Sequence, residues 1–151
     1  MGADPAAGGL DGPPEKASPA AAREDLDFAE RRQKGRWLEE DLAQLGIRSV
    51  SELPQCRDLP NVETWAQAVG AMYVLEGSTL GGRHISAMLR TSDIPVGAQR
   101  FFSSYGAEVG AMWRSFCAIG NQLSAPAEQE VAVANARATF ASMQLWLQDH
   151  Q

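Results

Sequence analysis

Residues 73–83 read Tyr73-Val74-Leu75-Glu76-Gly77-Ser78-Thr79-Leu80-Gly81-Gly82-Arg83, which sets three glycines in a G-x-x-x-G-G spacing. Around them Val62, Trp65, Ala66, Val69, Met72, Tyr73, Leu80, Ile85, Met88 and Leu89 recur close to a helical period. No proline falls within residues 62–89, so the pattern predicts one long amphipathic helix. An interior glycine costs about 1 kcal/mol relative to alanine, so three cost roughly 2–3 kcal/mol. Gly77 and Gly81 are four apart and share a face. Bare backbone on that face serves a large flat ligand, a closely packed second helix, or a kink. Membrane pairing through the glycines fits poorly. Glu76, Arg83 and His84 interrupt the apolar run, and no stretch of about 18 apolar residues exists.

Four helices are predicted in all. The first runs from Ala20 to Leu45, with Gly46 as its stop. A loop containing Pro54 and Pro60 follows, and Asn61 is placed to cap the long helix from Val62 to about Arg90. Ser92-Asp93-Ile94-Pro95 makes a turn. The third helix spans Ala98 to Leu123, with a break expected near Gly106 and a core stripe of Val109, Met112, Trp113, Phe116 and Gly120. Ser124 caps the last helix, Pro126 occupies its first turn, and Val133, Arg137, Phe140, Met143 and Leu147 share one face. The fold class is therefore all-α. Two divisions are expected: an Ala/Gly/Pro-rich disordered tail over 1–23 and a helical domain over 24–151.

The glycine segment closely resembles the distal-helix segment of bacterial biliverdin-producing heme oxygenases, the kind often found beside bacterial phytochromes. Further pieces follow in the family's order. Arg31-Arg32-Gln33-Lys34 leading to Trp37-Leu38-Glu39-Glu40-Asp41-Leu42 is similar to its mid-chain helix. Leu53-Pro54 and Leu59-Pro60 are similar to the loop after it. Phe101-Phe102-Ser103-Ser104-Tyr105-Gly106, Met112-Trp113-Arg114-Ser115-Phe116 and Ala138-Thr139-Phe140 with Leu145-Trp146-Leu147 resemble its later helices. The resemblance covers about Asp25 to Leu147.

The resemblance implies a heme-oxygenase-like helical bundle that sandwiches heme between a proximal and a distal helix. Heme is both substrate and oxygen-activating cofactor, so the protein supplies binding, orientation and ordered water. The implied products are biliverdin, carbon monoxide and ferrous iron. By the same resemblance Gly77, Gly81 and Gly82 form the distal backbone platform, and Ser78 stands where some relatives carry an acidic residue that organises distal water. Tyr73 joins the heme contacts. Arg137, on the closing helix, and Arg83 are candidates for the heme propionates, which guanidinium groups suit as bidentate partners; the other reading of each is a surface arginine. Implied partners are an electron-donating reductase or ferredoxin and a phytochrome that receives biliverdin.

The departure from the family is at the iron ligand. Relatives carry a proximal histidine in an early helix, whereas Met1 to Arg23 holds none. The chain is thus expected to be incomplete at its N-terminus, or a divergent member without that ligand. A non-catalytic heme- or tetrapyrrole-binding protein of the same fold is the alternative function. Two histidines occur. His84, near the glycine face, is either a replacement ligand or an exposed helix residue. His150 belongs to the last helix end. Cys56 and Cys117 have no metal-site spacing, and Met72 and Met112 read first as packing residues.

A net charge of −6 argues against nucleic acid or an anionic membrane as partner. Two cysteines and no secretory signal point to the cytoplasm. Apolar surface left by a missing N-terminal helix would favour a homodimer.

Overall fold

A Thr64–Gln67 pair opens the central helix. Gln67 N–H donates to Thr64 Oγ1 at 3.3 Å, and Thr64 N–H donates to Gln67 Oε1 at 2.9 Å, a reciprocal capping box. Asn61, the expected cap, lies three residues too early. Its carbonyl accepts a 2.9 Å bond from Asn135 Nδ2, so the chain is still tied to the last helix there. The computed structural model describes residues 30–150. Lys34 begins the compact unit that carries the fold, and residues 30–33 belong to a separate one. The 1–23 tail and the first ten residues of the expected first helix fall outside the described residues.

Among the described residues every regular element is helical: α1 Lys34–Gln44, α2 Trp65–Gly77, α3 Gly82–Leu89, α4 Arg100–Ser103, α5 Val109–Gly120 and α6 Pro126–Asp149. Helix α1 starts at Lys34, because residues 31–33 are not helical. It stops where expected. Gly46 takes φ +85°, Ile47 N–H reaches the Leu42 carbonyl at 2.9 Å and Gly46 N–H reaches that of Ala43 at 3.1 Å, which is a Schellman closure.

The predicted single helix over 62–90 is α2 and α3 joined by a 3₁₀ link, Ser78–Gly81. Hydroxyls stabilise the change of pitch. Ser78 Oγ donates to the Leu75 carbonyl at 2.7 Å and Thr79 Oγ1 to the Glu76 carbonyl at 2.6 Å, the back-bonding that bends helices. Gly77, Gly81 and Gly82 all keep right-handed helical dihedrals, so φ does not select glycine at any of them, and only Gly82 is crowded.

The third expected helix is broken as anticipated. Ser104 and Gly106 have positive φ, 46° and 56°, and leave α4 a single turn ahead of α5. In the last helix Pro126 sits in the first turn, but Ala125, not Ser124, is the cap. A residue before proline is driven to extended backbone, and Ala125 has ψ 130°.

Helix α2 crosses α6 at Gly70. A Cβ there would press into the Ala132 carbonyl oxygen and lie 3.0 Å from Ala136 N. The buried apolar residues among those described are Ala66, Val69, Val74, Ala98, Met112, Phe116, Leu123 and Ala132. Met112 and Phe116 of the expected α5 stripe are fully buried; Trp113 is half-buried. On α6 the buried positions are Ala132, Asn135 and Thr139. The apolar stripe that includes Phe140 and Leu147 instead stands exposed.

Gly82 makes the second close approach, its missing Cβ aimed at the Phe102 carbonyl oxygen, whereas a Cβ on Gly81 would meet nothing within 4 Å. Gly70→Ala and Gly82→Ala should each destabilise by about 1–3 kcal/mol through overpacking against backbone. Gly81→Ala should be neutral or stabilising by up to about 1 kcal/mol. Urea unfolding of the three variants measures this, and equal losses at all three would refute it.

Candidate functional site

An open groove of about 760 Å³ lies between the α2–α3 stretch and α6. Tyr73, Val74, Gly77, Ser78, Leu80 and Ile85 form one wall, and Phe140, Met143, Gln144, Leu147 and Gln148 form the other, with Trp113 of α5 between them. Helical spacing on α6 brings positions 140, 143 and 147 to the same side. Their exposure is large for apolar residues: Phe140 63%, Leu147 54% and, across the groove, Tyr73 56%. Tyr73 and Trp113 rings lie 5.7 Å apart at 59°, and Trp113 continues to Phe116 at 5.5 Å. An aromatic chain thus runs from the groove into the core.

Gly77 gives this groove its flat spot. A Cβ there would meet only the Trp113 ring, at 3.8–3.9 Å, so the surface is bare backbone beside an indole. Ser78 adjoins it, with its hydroxyl hydrogen committed to the Leu75 carbonyl and its oxygen free to accept.

The residues singled out from the sequence do not all gather here. Tyr73, Gly77 and Ser78 line the groove. Gly81 is exposed and is absent from the groove wall, while Gly82 is buried against Phe102. Arg137 lines a smaller adjoining concavity of about 340 Å³ that shares Tyr73 with the groove. Arg83 lines a different cavity, with Thr79 and Phe102. His84 is exposed and lines neither. His150 stacks on Trp146, 4.3 Å between centroids, with Nδ1 2.8 Å from the Trp146 carbonyl. Cys56 and Cys117 are free thiols, both half-buried. Among the described residues no group of three or more His, Cys, Asp or Glu could hold a metal ion.

One residue of the site has more structural weight than its place in the motif suggests. Glu76, immediately before Gly77, is 2% exposed. Tyr105 OH donates to its two carboxylate oxygens at 3.1 and 3.2 Å, and Lys34 Nζ lies 3.5 Å away. Lys34 also sits over the Tyr105 ring, 4.9 Å from its centroid. Tyr105 meets Trp37 edge-on at 5.4 Å, and Arg100 covers Trp37 at 4.2 Å. Asp41 completes this layer by accepting the Arg100 and Phe101 N–H groups at 2.8 Å each. Position 76 follows Val69 by seven residues, which places it on the buried face. That register is the signal in the sequence from which its burial can be read.

The chain is 36% identical over 105 residues to a heme oxygenase of Xanthomonas campestris pv. campestris (strain 8004), a match covering 69% of this chain and 61% of that protein. The similarity supports a place in the heme oxygenase family, and the all-α architecture agrees with a heme-oxygenase-like fold. No family model matches the chain and no solved structure matches it. No described helix is long and apolar enough to cross a membrane.

Removing one partner of a buried ion pair leaves the other uncompensated. Glu76→Ala should therefore cost about 3 kcal/mol in urea unfolding. Tyr105→Phe removes only a hydroxyl and should cost about 1 kcal/mol. A Glu76→Ala loss no larger than that of Tyr105→Phe would count against the clamp.

Proposed function

We propose that this chain is a member of the heme oxygenase family that binds heme in the groove between α2–α3 and α6 and cleaves it oxidatively to biliverdin, carbon monoxide and ferrous iron. The observation that carries the reading is the bare-backbone patch at Gly77 in an aromatic-walled groove of about 760 Å³, in a chain similar to a heme oxygenase. The chain spans 61% of the length of that relative.

The groove suits a flat apolar macrocycle. Trp113, Phe140 and Leu147 present apolar area and exclude water, while the absence of a Cβ at Gly77 allows face-on approach. When bound, heme supplies both the iron that activates dioxygen and the ring that is cleaved, with electrons from an external donor. The chain orients it. Ser78 Oγ, its own hydrogen held by the Leu75 carbonyl, accepts a hydrogen bond at the groove surface and so can fix a water beside Gly77. Arg137, in the smaller concavity that shares Tyr73 with the groove, is the candidate for a heme carboxylate. Neither histidine lines the groove; Met143 contributes a thioether to its wall. The platform role belongs to Gly77, with Gly82 packed against the Phe102 carbonyl of α4.

Hemin titration of the chain, followed by ascorbate under oxygen, tests the reading. A saturable Soret band that decays to biliverdin absorption is expected. A Soret band that saturates and then persists would show binding without turnover, and no saturable band would remove heme altogether. Gly77→Leu should weaken hemin binding by roughly tenfold, about 1.4 kcal/mol, with helical circular dichroism retained. Unchanged affinity would refute the backbone platform.

A further inference from the structure

We propose a second ligand site, for phosphate or the phosphate of a small monoester, in the cavity on the Arg83 side of the helix link. This cavity, about 300 Å³, is lined by Thr79, Arg83, Ser86 and Arg90 on one side and by Ser103 and Val109 among those facing them. Three independent observations point to an anion.

The first is unopposed positive charge. Arg83 and Arg90 are seven apart, on one helical face. Neither has an ion-pair partner among the described residues, and no carboxylate lines the cavity. Glu108, next in sequence to the lining residue Val109, is exposed and outside the lining. Two unpaired guanidinium groups around one concavity are notable in a chain of net charge −6.

The second is an orphaned hydroxyl between them. Ser86 Oγ is buried without a hydrogen-bond partner. Its neighbours along the same stretch behave differently: Ser78, Thr79, Thr91 and Ser92 each donate to the carbonyl three residues back. A buried hydroxyl without a partner is costly, and Ser86, half-buried as a residue, is among those that line the cavity.

The third is a helix dipole. Val109, the first residue of the twelve-residue α5, lines the cavity, and the N-cap Glu108 makes no side-chain capping bond. The first turn of α5, the positive end of its dipole, therefore borders the same space.

The donor set decides the ligand class. Two guanidinium forks, a hydroxyl and a helix N-terminus are donors that call for several acceptor oxygens on one centre, which phosphate supplies and a carboxylate only partly supplies. Thr79 does not compete, because its hydrogen is bonded to the Glu76 carbonyl.

Isothermal titration of the full chain with inorganic phosphate, glycerol phosphate and succinate at matched ionic strength tests the site, with melting temperature as a second readout. Saturable binding of one phosphate per chain is expected, weakened at least about tenfold in the R83Q/R90Q double variant and severalfold in Ser86→Ala. Equal binding of glycerol phosphate would identify a monoester as the ligand, and preference for the free ion would identify phosphate itself; both uphold the site. Absence of saturation would overturn it. Binding unaltered in the double variant, or succinate bound as tightly as phosphate, would also overturn the assignment. Circular dichroism checks the fold of each variant, and Ser86→Ala, which removes one hydroxyl, keeps the test decisive if the double variant does not fold.

Discussion

A carboxylate buried at position 76 has to be matched, and the groups that match it frame the molecule. Lys34 opens α1, Tyr105 lies in the break between α4 and α5, and Glu76 is the penultimate residue of α2, two before the 3₁₀ link. Three stretches far apart in sequence converge on one ion pair and one hydroxyl. The bend cannot rotate without drawing Glu76 away from both, which would strand a charge in a low-dielectric interior. Gly70 and Gly82 then hold the two arms of the bent helix against α6 and α4 by backbone contact. The groove is what this arrangement leaves open on its outer side.

Much of the fold is legible in the residues because it is local. Gly46 closes α1 by adopting a dihedral that costs glycine little, Pro126 starts α6, and the break at Gly106 occurs where its spacing predicts. Caps are less legible. Asn61 and Thr64 are both good capping residues, and the choice falls on Thr64 because Gln67 answers it while the Asn61 carbonyl is occupied by Asn135, 74 residues away. Such a tertiary tie has no local signature. The glycine segment reads as one motif with one purpose, yet its glycines divide: Gly77 faces the groove, Gly81 meets open space, and Gly82 packs on Phe102. Spacing of three and four residues gives a face, and it does not say what stands opposite that face.

The apolar stripe on α6 shows the same limit from the other side. Phe140, Met143 and Leu147 have the periodicity of a core stripe, but the buried face of α6 is made of Ala132, Asn135 and Thr139. Small residues allow the two helices to approach closely at Gly70, and that closeness turns the large residues out along the groove. Large apolar side chains standing in water at the edge of a tight helix crossing are a common signature of a surface meant to be covered. Here they are matched across the gap by Tyr73 and Leu80.

Trp113 occupies a position with an optical consequence. Its indole lies beside Gly77, adjoins the Tyr73 ring and is joined to the core through Phe116. Of the four tryptophans in the chain, it is the one that forms part of the groove wall. Its emission therefore reports on the groove itself: a coloured ring laid on Gly77 would be close enough to drain the excited indole of its energy, while Trp37, Trp65 and Trp146 would sense the ligand from outside the wall. The protein carries a built-in fluorophore in the wall of its own proposed binding surface.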